Sequence, residues 1–447
     1  MKDFTKGKEA GLLLKFSLPL ILGNFFENLY NIVDSIIVGN FLGKEALGAV
    51  GASFPIIFAL ISLVIGIGSG ASTIVSQYFG ATQTENVRRT IDTVFIFFFI
   101  ASIFISILGI IFSNDIFYLL KLPEEMMSDA NNYLRIYIGG IFFFFGFAGL
   151  SSILRGLGDS KTPLYFMIAS TIVNILLDLL FVMVFHWGIK GVAWATVLSE
   201  ILLFVAGIVY LNIKHPLIKL SLRKYIFDIS IFKSCIRIGL PTGIQQSLVA
   251  IGMMTIMGII NSFGTNAVAA YTAAMRIDSF AKMPAMTFSS ALSSFVGQNL
   301  GAFREDRAKN GLKFTIIFSL VYSVVISTII ILFGGFFVHF FTSDQYVIEI
   351  GKRYLVIVSS FYLLLSIMFT LIGFLRGAGA TLIPMFVTIA SLYFLRIPAA
   401  LFLSNKIGVD GVWWSFPLGW AAAAVFLVFY YFSGKWKGKT VISREVA

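Results

Sequence analysis

The chain has 447 residues, 58% of them hydrophobic and 12% charged, with a mean hydropathy of +0.92. Soluble domains carry about 45–50% apolar and about 25% charged residues, so a soluble enzyme, a disordered chain and a disulfide-stapled secreted domain are excluded. The single cysteine, Cys235, allows no intrachain disulfide, and three histidines leave almost no material for a zinc site. A net charge of +11 on so apolar a chain points to basic cytoplasmic loops rather than to nucleic acid.

A bilayer-spanning helix needs about 20 mostly apolar residues. Such runs are expected at 12–39, 48–75, 90–112, 131–154, 163–187, 189–211, 233–262, 267–297, 311–340, 351–375, 384–404 and 409–433. The fold class is therefore an all-α integral membrane protein with twelve transmembrane helices. The first run carries Asn24, Glu27, Asn28, Asn31 and Asp34, which no cleavable signal segment would hold. With the N-terminus inside, the inner segments collect most of the 33 lysines and arginines, Lys2, Lys6, Lys8, Arg88, Arg89 and Lys214 among them. The outer loops then hold Lys44, Lys121, Lys190, Lys352, Arg353 and Lys406. Both termini are thus expected in the cytoplasm.

The two halves match. Leu18-Pro19 recurs as Leu240-Pro241, at an offset of 222. Gln77-Tyr78-Phe79-Gly80-Ala81 recurs as Gln298-Asn299-Leu300-Gly301-Ala302, and Leu154-Arg155-Gly156-Leu157-Gly158 as Leu375-Arg376-Gly377-Ala378-Gly379, both at 221. Gly191-Val192-Ala193-Trp194 recurs as Gly411-Val412-Trp413-Trp414, at 220. Six helices per copy give both copies the same orientation. The pseudo-twofold axis then runs along the membrane normal, with a central cavity. The expected organisation is an N-terminal six-helix lobe at 1–211, a basic cytoplasmic linker at 212–232, a C-terminal six-helix lobe at 233–433 and a basic tail at 434–447.

Leu-Arg-Gly-x-Gly reads as a capped turn at the cytoplasmic end of helices four and ten, with the arginine at the negative end of the dipole; a gating role is the alternative. Gly66-Ile67-Gly68-Ser69-Gly70 suits close helix packing, or else a hinge. Pro19 and Pro241 fall inside helices and should bend or loosen them.

Ionisable residues inside a membrane are costly and therefore informative. Asn24, Glu27, Asn31 and Asp34 share one face of helix one, and Asn174 and Asp178 share a face of helix five. Thr196 adds a hydroxyl on helix six, with Glu200 one turn further on. Two carboxylates in a poorly solvated pocket cannot both stay charged and unpaired, so a proton binds or a hard cation sits among the oxygens. This is ion-coupled transport chemistry; the plainer reading is a polar cluster that ties helices together. In the second copy Asp34 maps to Ile256, Asn174 to Leu395 and Asp178 to Ala399, so a cation site is expected in the first lobe alone. The second lobe holds Gln245, Gln246, Arg276, Asp278, Lys282 and Arg396. Lys282, four residues after Asp278, is a natural partner for it, while Arg396 has no partner that spacing identifies.

Taken together, Tyr30-Asn31-Ile32-Val33-Asp34, Gln77-x-x-Gly80-Ala81, the paired Arg-Gly-x-Gly turns, Asn174-x-x-x-Asp178 and Gln298-Asn299-Leu300-Gly301-Ala302 resemble the multidrug and toxic compound extrusion (MATE) transporters of the MOP flippase superfamily. The resemblance covers nearly the whole chain and lies nearer the DinF-like and MepA-like bacterial branch than the NorM-like one, which places acids in the second lobe too. It implies an antiporter in the bacterial inner (plasma) membrane, a likely-sized monomeric unit without a cofactor, that exports lipophilic, often cationic small molecules by alternating access. The coupling ion is Na⁺ or H⁺. The implied cation site, and the implied Na⁺ ligands, are Asp34, Asn174, Asp178 and Thr196, and the implied helix bend is at Pro19. Glu27, Asn31, Gln245, Gln246, Arg276 and Asp278 are substrate-cavity candidates, and the acid at Glu27 favours cationic substrates. The competing expectation is a flippase for a lipid-linked oligosaccharide, kept open by Arg276, Lys282 and Arg396. An integral-membrane enzyme lacks clustered His or Cys ligands and any nucleophile–His pair.

Overall fold

The computed structural model describes residues 2–119, 122–214 and 226–442. The middle of the expected linker and the end of the expected tail lie outside the described residues. Among the described residues every regular element is helical. Lipid offers no hydrogen bonds, and a helix satisfies its own backbone within one segment.

In chain order, α1 (Glu9–Ile37) runs on into a π-helical turn at Val38–Leu42. There follow α2 (Lys44–Gly80), α3 (Thr84–Ile111) and a short α4 (Ser113–Leu119) that the apolar pattern does not signal. α5 (Glu124–Gly139) and α6 (Ile141–Gly156) form one span bent by 50° at Gly140. α7 (Lys161–Leu179) ends in a π-helical turn at Leu180–Val184, and α8 (Gly188–Lys214) closes the first half. The second half brings α9 (Ile229–Asn261), α10 (Thr265–Gly301) and α11 (Glu305–His339). α12 (Gln345–Ser359) and α13 (Tyr362–Gly377) are bent by 52°. α14 (Leu382–Ala390) joins α15 (Ile397–Ile407) through a π-helical turn at Ser391–Arg396, and α16 (Val409–Phe432) ends the series.

By length and composition nine helices among the described residues can cross a membrane, and the bent pairs bring the number to eleven. The remaining expected span, 267–297, is α10. Its 37 residues reach about 55 Å at about 1.5 Å per residue, but Arg276, Asp278 and Lys282 in its first half make it more polar than its neighbours.

The repeat holds at the level of single hydrogen bonds. In the Leu-Arg-Gly-x-Gly turns Asp159 N donates to Leu154 O and Ala380 N to Leu375 O, both at 2.8 Å. Gly158 and Gly379 take φ of +77° and +83°, the left-handed geometry of a helix C-cap. In the other motif Ala81 N donates to Gln77 O and Ala302 N to Gln298 O, both at 3.0 Å. The next residues, Thr82 and Phe303, are both left-handed, at φ 59° and 56°.

The helices gather into two compact units whose borders differ from the chain-order lobes. One contains Leu18–Gly243, the other Asp3–Ser17 and the chain from Ile244 onward. The start of α1 thus belongs with the second-half helices, and the start of α9 with the first-half helices. Each helix changes unit within two residues of its proline, Pro19 or Pro241. The glutamine motif explains the exchange. Phe4 N donates to Gln298 Oε1 at 2.9 Å, and Asn299 Nδ2 and Arg307 Nη2 donate to Phe4 O at 3.2 and 3.1 Å. Phe4 is fully buried against Phe16 and Phe295, and Arg307 pairs with Glu9 at 3.2 Å. In the first unit Asp228, just before α9, is held by Thr93 Oγ1 at 3.0 Å and Arg89 at 3.8 Å.

Small residues let α2 and the start of α9 touch backbone to backbone. A Cβ on Gly66 would lie 2.3 Å from Gly243 N, and one on Gly70 2.7 Å from Gly239 N. Both helices carry the Gly-x-x-x-Gly spacing that permits this approach in membranes. The glycine tract is therefore a packing surface. Gly239→Leu should drive the two helices apart and abolish the monodisperse folded protein in detergent size-exclusion chromatography. Gly258→Leu, where a Cβ meets nothing within 4 Å, should leave the elution profile unchanged.

Candidate functional site

In the first unit α1, α7 and α8 bring most of the expected polar residues together. Asp34 on α1 is 7% exposed, Asn174 and Asp178 on α7 are 1% and 0% exposed, and Thr196 on α8 is 5% exposed. Helical spacing sets this arrangement: residues 174 and 178 lie one turn apart on the face of α7 turned into protein. Around them Val38, Leu134, Ile138, Val192 and Ala193 build an apolar cluster that keeps solvent away.

These polar atoms are not paired with one another. Asp34 Oδ1, both Asp178 oxygens, both terminal atoms of Asn174 and Glu200 Oε2 are buried with no hydrogen-bond partner. The Thr196 hydroxyl differs, because it meets Tyr30 Oη at 3.1 Å and donates to Val192 O at 3.2 Å. It pins α1 to α8 and is not an orphan. Asp34 and Asp178 lie within reach of each other's charge, and Tyr133 on α5 senses both. A structural tie would leave these atoms hydrogen-bonded, since an unmet buried polar group is costly. Partnerless carboxylate, amide and neighbouring hydroxyl oxygens form the donor set of a hard cation or a transferable proton. Among the described residues no three His, Cys, Asp or Glu side chains group as a metal site. The oxygens here come instead from two acids, an amide and an alcohol.

The expected face of helix one divides. Asp34 is buried, whereas Glu27 and Asn31 are exposed, and Asn31 Nδ2 turns back to Glu27 O at 2.9 Å. Arg155, from the first Leu-Arg-Gly-x-Gly turn, lies within charge reach of Glu27 and donates to Ser152 Oγ at 2.8 Å. Glu27 also senses Glu200.

The second unit has a different chemistry. Asp278, fully buried on α10, accepts from Tyr354 Oη at 2.9 Å and from Tyr362 Oη at 2.5 Å, and pairs with Lys282. It is a satisfied node rather than an open cavity carboxylate. Gln245 is 8% exposed and donates to Thr388 Oγ1 at 2.9 Å, joining α9 to α14. Gln246 is half-buried and Arg276 exposed. Ile256, standing where Asp34 stands in the first copy, is fully buried. The two tyrosines escape a reading by helical spacing, because they reach Asp278 from α12 and α13. The repeat does carry a signal for one of them: Tyr354 corresponds to Tyr133 at the offset of 221.

The MatE family signature matches residues 19–180 and again 241–402, two copies at the offset of the internal repeat. A probable multidrug resistance protein of Bacillus subtilis, YpnP, is 34% identical over 444 residues, 99% of each chain. A FAD transporter of Shewanella oneidensis is 27% identical over 418 residues, 91% of each chain. The fold matches that of a multidrug resistance MATE family transporter of the MOP superfamily in its outward-facing conformation. The TM-score is 0.91 at 24% identity, over 97% of this chain and 98% of that one.

Charge-removing substitutions separate the two units. Asp34→Asn and Asp178→Asn should each abolish ion-driven transport in folded protein. The double variant should be scarcely worse than either, because residues serving one bound ion act as a unit; initial rates in proteoliposomes test this. Asp278→Asn should instead lower thermal stability by about 3–5 kcal/mol, the cost of leaving a buried Lys282 unpaired, as read by unfolding in detergent.

Proposed function

The chain belongs to the MATE family of membrane transporters, and on that premise we propose that it is a cation-coupled antiporter exporting lipophilic, often cationic compounds by alternating access. The observation that carries this reading is the set of partnerless buried oxygens on Asp34, Asn174 and Asp178. Such oxygens are stabilised by an arriving proton or Na⁺, and that ion's release can be exchanged for substrate. Tyr30 and Thr196 hold α1 against α8 beside these acids, so a change in their charge acts directly on α1. Glu27, exposed one to two turns earlier, adds the negative charge that a cationic substrate needs.

Efflux of many compounds is supported by the named relative YpnP, and it stands ahead of flipping a lipid-linked oligosaccharide. The relative named a FAD transporter supports a wider substrate range than cations. The protein is placed in the bacterial inner membrane with both termini cytoplasmic, on the distribution of lysine and arginine.

Proteoliposomes with a pH gradient and a Na⁺ gradient imposed separately test the function. Ethidium efflux should accelerate at least tenfold under one gradient and return to the basal rate when an ionophore dissipates it. Equal rates with and without either gradient would exclude coupling. For the topology, Lys439→Cys in a Cys235→Ala background should resist an impermeant thiol reagent added to intact cells. Ser128→Cys should label.

A further inference from the structure

Arg396 carries a buried charge that no carboxylate touches. The residue ends the π-helical turn Ser391–Arg396 and is 8% exposed. Its guanidinium carbon lies 3.5 Å from the centroid of the Phe416 ring. Nη2 reaches only Met253 Sδ, at 3.5 Å, a weak acceptor, and Nε has no partner. The stem crosses α16 where Gly419 leaves room, since a Cβ there would lie 3.3 Å from Arg396 Cβ.

The one carboxylate whose charge it senses is Asp278. That group is already taken by Lys282, Tyr354 and Tyr362. Lys282 and Asp278 cancel, so the charge of Arg396 remains in surplus. A guanidinium stays protonated in proteins, and an uncompensated ion out of water costs several kcal/mol. A purely structural residue would not carry that cost, because a methionine or leucine would fill the volume more favourably. Stacking covers one face of the guanidinium but leaves its edge, the fork that pairs with a carboxylate in a planar, two-bond geometry. Nearby, Trp413 lies flat on Tyr271, centroids 5.6 Å apart and planes at 8°, and its Nε1 is a second donor without a partner.

We propose that Arg396 recognises an acidic group, a carboxylate, on aromatic amphiphiles carried by this protein. The assignment rests on the efflux reading above and narrows it to substrates with an anionic end, which the acids of the first unit do not select. Arg396 meets that end through its unpaired edge, and the aromatic wall takes the flat body of the molecule.

The test uses the purified full-length protein and three probes: norfloxacin, which bears a carboxylate, its methyl ester, which lacks the charge, and ethidium. Binding is measured by equilibrium dialysis in wild type, Arg396→Gln and Arg396→Lys. Arg396→Gln should weaken norfloxacin at least tenfold while the ester and ethidium change less than twofold, which also reports that the variant is folded. Arg396→Lys, keeping the charge but not the fork, should fall between. Equal losses for norfloxacin and its ester, unchanged norfloxacin binding in Arg396→Gln, or no norfloxacin binding to wild type would each overturn the assignment. Inorganic phosphate binding that depends on Arg396, with norfloxacin indifferent to it, would also overturn it in favour of a free-anion site. Arg396-dependent norfloxacin binding without transport of any probe in proteoliposomes would support the carboxylate site and count against the efflux reading alone.

Discussion

A carboxylate buried in a membrane-spanning helix must have its charge met, by a donor, a cation or a proton. In the first unit no donor is supplied. Asp34 Oδ1 and both oxygens of Asp178 have no partner, although a tyrosine and a threonine hydroxyl lie close by and bond to each other instead. The apolar cluster around Val38, Leu134 and Val192 denies them water. The arrangement is therefore stable only with a charge that comes and goes, which is the requirement for coupling ion movement to that of a second solute.

The second unit shows the same requirement met permanently. Asp278 has a lysine one helical turn away and two phenols from the α12–α13 bend. Nothing there needs an exchangeable cation. The backbone of the two halves is alike down to paired turn hydrogen bonds and matched left-handed residues, yet the side chains divide the work. One copy keeps unpaired acids, the other a fixed ion pair and the surplus charge of Arg396. Duplication supplies a symmetric scaffold, and substitution at a few buried positions such as Ile256 makes it chemically asymmetric.

Much of this was legible in the residues. The repeat could be read because its marks are local: glycine at 158 and 379 is set by a positive φ, and the spans follow from continuous apolar runs. The pairing of Asp278 with Lys282 follows from helical spacing. The exchange of first segments between units could not be read, because it depends on Phe4 finding Gln298 and Asn299 almost three hundred residues away. Tyr354 and Tyr362 are likewise brought to Asp278 by tertiary packing. Thr196 has the right position for a cation ligand, but its hydroxyl is bound to Tyr30, a contact that spacing along one helix does not reveal.

The central claim is that the acids of the first unit hold one exchangeable cation. Counting cations on the purified protein tests it most directly, by ²²Na⁺ binding and by proton release on adding substrate, each per folded chain. The account predicts one cation per wild-type chain, by one of the two readouts, and none in Asp34→Asn. Stoichiometry in Asp34→Asn equal to that of wild type would contradict it.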